Sequence, residues 1–132
     1  MNNDEKRSIL SQLIHLAKID NQIKESEYNF LLGVANQIGI SKEELDDLFT
    51  SPAPYKSLHP ESQRIVQFHR LILLMNVDRN ISDIELEQIH KIGLKMGLNI
   101  QAINQTLAVM HEYEDKIIPP NILLNIFKTY YN

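Results

Sequence analysis

The chain has 132 residues, a net charge of −4, 43% hydrophobic and 23% charged residues, and no cysteine. That length suits one helical or mixed domain, and the composition excludes a disordered or fibrous chain. Without cysteine there is no disulfide framework, thiolate zinc site, iron–sulfur cluster or thiol nucleophile. The acidic balance argues against a general nucleic-acid binder, which needs a basic face to neutralise phosphates.

The longest unbroken apolar run, Leu71 to Met75, is far short of the ~20 residues that span a bilayer. The start of the chain carries two early acids and no hydrophobic segment behind them. It does not read as a secretory signal, and the expected location is the cytoplasm.

Hydrophobic spacing is helical throughout. Ile9, Leu10, Leu13, Ile14, Leu16 and Ala17 fall at three- and four-residue steps, which gives a first helix one buried face. Phe30, Leu31, Val34, Ala35 and Ile38 give a second, ended by Gly39. Ser41-Lys42-Glu43-Glu44 reads as a capping box opening a short third helix through Leu45, Leu48 and Phe49. Ser51-Pro52-Ala53-Pro54 breaks it.

Pro60 is placed to begin a long fourth helix to Val77. Ser82-Asp83-Ile84-Glu85 is a second capping box for a fifth helix that stops at Gly97. Asn99 can cap a sixth through Ile103, Leu107 and Met110, and a seventh follows Pro119-Pro120 through Ile122, Leu123, Ile126, Phe127 and Tyr130. The predicted fold class is all-α, with seven helices and no strand.

A shift of 58 residues lays Leu13–Ile40 on Leu71–Leu98 without gaps. The identities include Leu13/Leu71, Ile14/Ile72, Leu16/Leu74, Asp20/Asp78, Ile23/Ile81, Glu27/Glu85 and Gly39/Gly97. Each copy reads as helix, Asp-x-x-Ile-x-x-x-Glu turn, then helix and Gly. The expectation is a single domain of two halves, about 1–50 and 60–132. They would pack face to face about a pseudo-twofold axis, with 51–59 as the connection.

The turn carries the candidate chemistry. Asp20 and Asp78 extend the inward stripe of one helix, while Glu27 and Glu85 begin the inward stripe of the next. Four converging carboxylates would make a hard-oxygen site for Ca²⁺, Mg²⁺ or Mn²⁺. The same residues also suit helix capping, since Glu85 is third after Ser82 and Glu27 holds the matching place. They are not EF-hands. Counted from Asp78, the glycine position falls on Asp83 and the bidentate glutamate on Ile89; counted from Asp20, the last position falls on Leu31.

Other motifs are weaker. His15, His59, His69, His90 and His111 show no paired-ligand spacing and read as surface or core-edge histidines. There is no nucleophile elbow, P-loop or dinucleotide fingerprint, so the chain reads as a non-enzyme. The run Glu43-Glu44-Leu45-Asp46-Asp47 reads as a solvated face. Tyr113, Tyr130 and Tyr131 with Phe127 are expected to pack the last helix, a dimer contact being the alternative.

The segment from Ile14 to Glu27, continuing through Gly39-Ile40-Ser41 to Leu45, resembles the TerB-like family of bacterial tellurite-resistance proteins and co-chaperone domains. Its pattern is A-x-x-D-G-x-I-x-x-x-E, then a helix and a Gly-Ile/Leu-Ser step. Ala17, Asp20, Ile23 and Glu27 match, with Asn21 at the Gly place, and Asn tolerates left-handed backbone. In the second copy Asp78, Ile81 and Glu85 match, while Met75 and Arg79 depart.

The resemblance implies a duplicated helical domain without catalysis, associated with stress responses to tellurite and other oxyanions. It also implies divalent-metal sensing through Asp20, Glu27, Asp78 and Glu85, and membrane-proximal complexes reached through a protein partner. Self-pairing as a homodimer is the other partner expectation.

Overall fold

A computed structural model describes residues 1–19, 21–77 and 81–130. Among the described residues the chain is all-helical. Its elements are α1 (Asn3–Ala17), α2 (Glu25–Ile38), α3 (Lys42–Thr50), α4 (Glu61–Met75), α5 (Asp83–Lys95), α6 (Ile100–Val109) and α7 (Pro120–Thr129), with two 3-10 turns at Met110–Glu112 and Glu114–Lys116. α6 ends at Val109, one residue short of the predicted Met110, which begins the first 3-10 turn, and the turns fill the stretch before α7 for which the hydrophobic pattern predicts no element. No helix of the described residues is long and apolar enough to cross a membrane.

The contacts divide the chain into Met1–Leu58 and His59–Asn132. In the first unit α1, α2 and α3 pack on one another in all three pairings. In the second, α4 meets α5, α5 meets α6, α6 meets α7 and α7 returns to α4. The helix bounds obey the 58-residue shift: α1 maps onto α4 residue for residue, and α2 and α3 map onto α5 and α6 to within one residue at their ends.

Local chemistry sets these bounds. Asn2 caps α1 reciprocally, its Oδ1 accepting the Glu5 amide at 2.8 Å while Glu5 Oε1 accepts the Asn2 amide at 3.1 Å. Gly39 (φ 82°) and Gly97 (φ 77°) take the left-handed turn that ends α2 and follows α5. The next amides then close onto carbonyls five residues back, Ile40 onto Ala35 at 2.8 Å and Leu98 onto Gly93 at 3.1 Å. At Ser41 the expected box is altered. The hydroxyl accepts the Glu44 amide at 3.1 Å, but Glu44 Oε1 takes the Ser41 hydroxyl at 3.3 Å in place of an amide. Pro60 is the cap residue before α4 and not its first turn.

Residues 51–58 close the first unit. The Ala53 amide donates to Ser11 Oγ at 2.9 Å and the Lys56 amide to Ser8 Oγ at 2.8 Å, which lays the segment antiparallel along α1 as a strap. Leu58 is buried at its end. The second unit fastens its own chain at the equivalent place. His69, 58 residues after Ser11, has Nε2 2.8 Å from the Ile118 carbonyl.

The duplication also keeps a small residue where helices cross. Ala35 is fully buried, and Gly93 stands at its equivalent. A Cβ on Gly93 would lie 2.8 Å from Ile103 Cδ1 and 3.1 Å from the Phe68 ring, whereas one on Gly33 would meet nothing within 4 Å. Gly33→Ala should therefore stabilise by about 0.5–1 kcal/mol through helix propensity. Gly93→Ala gains the same propensity, but Ile103 Cδ1 and the Phe68 ring, both fully buried, must shift to admit the methyl, and such overpacking costs about 1–3 kcal/mol. Opposite shifts of the urea midpoint are expected, and a rise for both would contradict the crowding at Gly93.

Candidate functional site

The acidic turns lie at the starts of α2 and α5. Asn21 adopts φ 64°, the left-handed turn that ends the approach from α1. Glu27, at the third position of α2, is only 7% exposed and accepts the Lys24 amide through Oε1 at 3.0 Å. A lysine side chain has no acceptor to return the bond, so the box is half made here. In the second unit it is complete. Glu85 Oε1 accepts the Ser82 amide at 3.2 Å and its hydroxyl at 3.1 Å, and the Glu85 amide donates to Ser82 Oγ at 3.1 Å. Glu27 and Glu85 thus both cap helices. Asp20 and Asp78 lie outside the described residues. Among the described residues no three acidic or imidazole groups come close enough together to hold a metal ion.

Beside the first turn lies an open cleft of about 630 Å³ lined by Ile23, Lys24, Glu25, Tyr28, Asp46 and Phe49. The Tyr28 and Phe49 rings are 6.0 Å apart and tilted by 35°. Lys18 Nζ sits 5.5 Å from the Phe49 ring centre and donates to the Phe49 carbonyl at 2.6 Å, neutralising the end of α3. The Tyr28 hydroxyl donates to Asp46 Oδ1 at 2.6 Å, and Lys42 Nζ reaches Asp46 Oδ2 at 2.9 Å. Asp46 therefore belongs to a side-chain network and not simply to the solvated acidic face that its neighbours suggest. Its spacing four residues after Lys42 was visible in the sequence. Its bond to Tyr28, eighteen residues away, was not.

The network moves three titrations. The hydrogen bond from Tyr28, then that from Lys42, holds the Asp46 carboxyl below the ordinary aspartate range. The bond to Asp46 raises the Tyr28 phenol and also the Lys42 ammonium. A depressed aspartate pKa stabilises the fold above the unfolded value, and that contribution is lost as pH falls through the folded one. The raised Lys42 contribution is present below its unfolded pKa and is lost as pH rises through the folded value. Followed by NMR, the Asp46 carboxyl should titrate below the ordinary range and move upward in Tyr28→Phe. An unmoved titration would dissolve the network.

Other polar contacts tie helices of the second unit to one another. His90 Nε2 lies 2.9 Å from Asn104 Oδ1. In α7, Phe127 is buried with its ring edge-on to Phe68 at 5.9 Å, and the Tyr130 hydroxyl donates to Gln105 Oε1 at 2.8 Å. The last helix thus packs on its own unit, as expected of Phe127 and Tyr130, while Tyr131 lies outside the described residues.

Comparison with protein-family models, curated proteins and solved structures gives no match.

Proposed function

We propose that the chain is a non-enzymatic helical adaptor of the TerB-like type, serving a bacterial stress response to tellurite or other toxic oxyanions by binding other proteins. The observation that supports its non-catalytic, scaffold part is the use of the turn glutamates: Glu27 and Glu85 both spend their carboxylates on the amide of the cap residue. The turns are then structural parts of a duplicated scaffold. A cation-tuned form of the same adaptor is the second reading, in which the acidic Asp-x-x-Ile-x-x-x-Glu turns of the two copies would supply hard oxygen ligands.

Thermal unfolding of metal-stripped protein separates the two. On the scaffold reading, Glu85→Ala lowers stability by about 1 kcal/mol through the lost cap, equally with and without millimolar Ca²⁺, Mg²⁺ or Mn²⁺. On the cation reading, wild type gains about 2.7 kcal/mol at a hundredfold excess over the dissociation constant, and the variant does not. The stress role is tested by growth under tellurite with the gene deleted and restored. Unchanged sensitivity would overturn it.

A further inference from the structure

The first unit contains a cavity of about 520 Å³ between α1, the end of α3 and the strap, within the ~300–1,000 Å³ range of small-molecule pockets. Its wall is stiff. Pro52 and Pro54 fix φ in the strap, while the Ala53 and Lys56 amides are tied down on Ser11 and Ser8. Both serines are buried, at 8% and 3% exposure. Leu48, Pro52, Ala53 and Pro54 line part of the cavity with apolar surface.

Four charged side chains also line it, Asp4 and Arg7 from α1, Asp47 from α3 and Lys56 from the strap. All four are exposed, and none has a side-chain hydrogen bond or ion pair among the described residues. Two cations and two carboxylates thus share one hollow without neutralising one another. The fold does not require them. At the positions 58 residues after Asp4, Arg7 and Asp47 the second unit has Ser62, Ile65 and Gln105, none of them charged, on helices with matching bounds. These three helix-borne charges are an addition to one copy of a shared scaffold.

We propose that this cavity binds a short zwitterionic peptide of two or three residues, its carboxylate held by Arg7 and Lys56 and its ammonium by Asp4 and Asp47. The apolar strap would face the peptide backbone. A tripeptide spans at most about 10 Å. The site stands independently of the adaptor reading.

The test is an NMR titration of the isotope-labelled full chain with triglycine, using acetylated and amidated triglycine as controls. Saturable shifts at the Thr50, Ala53, Tyr55 and Lys56 amides are expected with triglycine. Capping either end should weaken binding, and capping both should abolish it. Arg7→Gln and Asp47→Asn, both at exposed positions, should each raise the dissociation constant about tenfold, the scale of one lost charge-assisted hydrogen bond. Lys128→Gln in the second unit should leave it unchanged. Absence of saturable shifts, or equal binding of the doubly capped peptide, overturns the site. A singly capped peptide that binds as well as triglycine overturns the pairing of charges.

Discussion

Phe68→Ala is expected to destabilise the second unit by about 3–5 kcal/mol, the range for emptying a fully buried aromatic position. Phe68 is fully buried on α4, meets Phe127 of α7 edge-on, and lies under the backbone at Gly93 on α5. One ring on α4 therefore meets two further helices of the circuit, α5 and α7, and little can move to fill the space. A double-mutant cycle with Phe127→Leu should show a coupling of about 0.5–1.5 kcal/mol beyond area burial. The equivalent residue of the first unit, Leu10, is also fully buried. The first unit reaches only from α1 to α3, so it has no counterpart of α7 to supply a partner ring. A cost near 1 kcal/mol in urea unfolding would mean that α7 can collapse onto the vacated site, against the packing described.

The helices were legible because their signals are local. Stripes such as Leu13, Leu16 and Ala17, the caps at Ser82 and Asn99, and the stops at Gly39 and Gly97 all act within four or five residues. The 58-residue shift then matched the bounds of α1 to those of α4. What the sequence hid depends on contacts across tens of residues. Ser8 and Ser11 carry no local signal of their role, because the strap amides that bond them come from more than forty residues on. Residues 51–59 read as a connection because prolines break helices, yet a broken helix can still be a fixed wall. Glu27 and Glu85 were legible in the same local way, as the third positions of their helices. Position does not distinguish capping from ligation. For Glu27 and Glu85 that depends on whether an amide lies within reach.

Asn76→Ala is expected to cost about 2–3 kcal/mol and to loosen the segment before α7. Asn76 ends α4 and is 4% exposed. Its Nδ2 donates to the Ile72 carbonyl of its own helix at 3.0 Å and to the Lys116 carbonyl at 3.0 Å, forty residues on. Its Oδ1 has no hydrogen-bond partner among the described residues, so the benefit lies in the two donated bonds. Net hydrogen bonds contribute about 0.5–1.5 kcal/mol each, and a buried carbonyl left without its donor costs more.

The distant bond matters because of the backbone it holds. Asp115 and Lys116 have φ of 56° and 58°, conformations that cost a non-glycine residue about 1–3 kcal/mol. Asn76 and the His69 contact to Ile118 are two of the ties that offset this strain. Removing one should let the segment relax, raising amide exchange at Lys116 to Ile118 more than elsewhere in the unit. Lys116→Gly removes part of the strain and should recover about 0.5–1 kcal/mol in the Asn76→Ala background. Asn76→Asp should be at least as damaging near neutral pH, since an ionised carboxylate faces two carbonyls with no proton to donate, and should partly recover in acid. If Asn76→Ala leaves exchange at 116–118 unchanged, the segment is held by its own turns and not by α4.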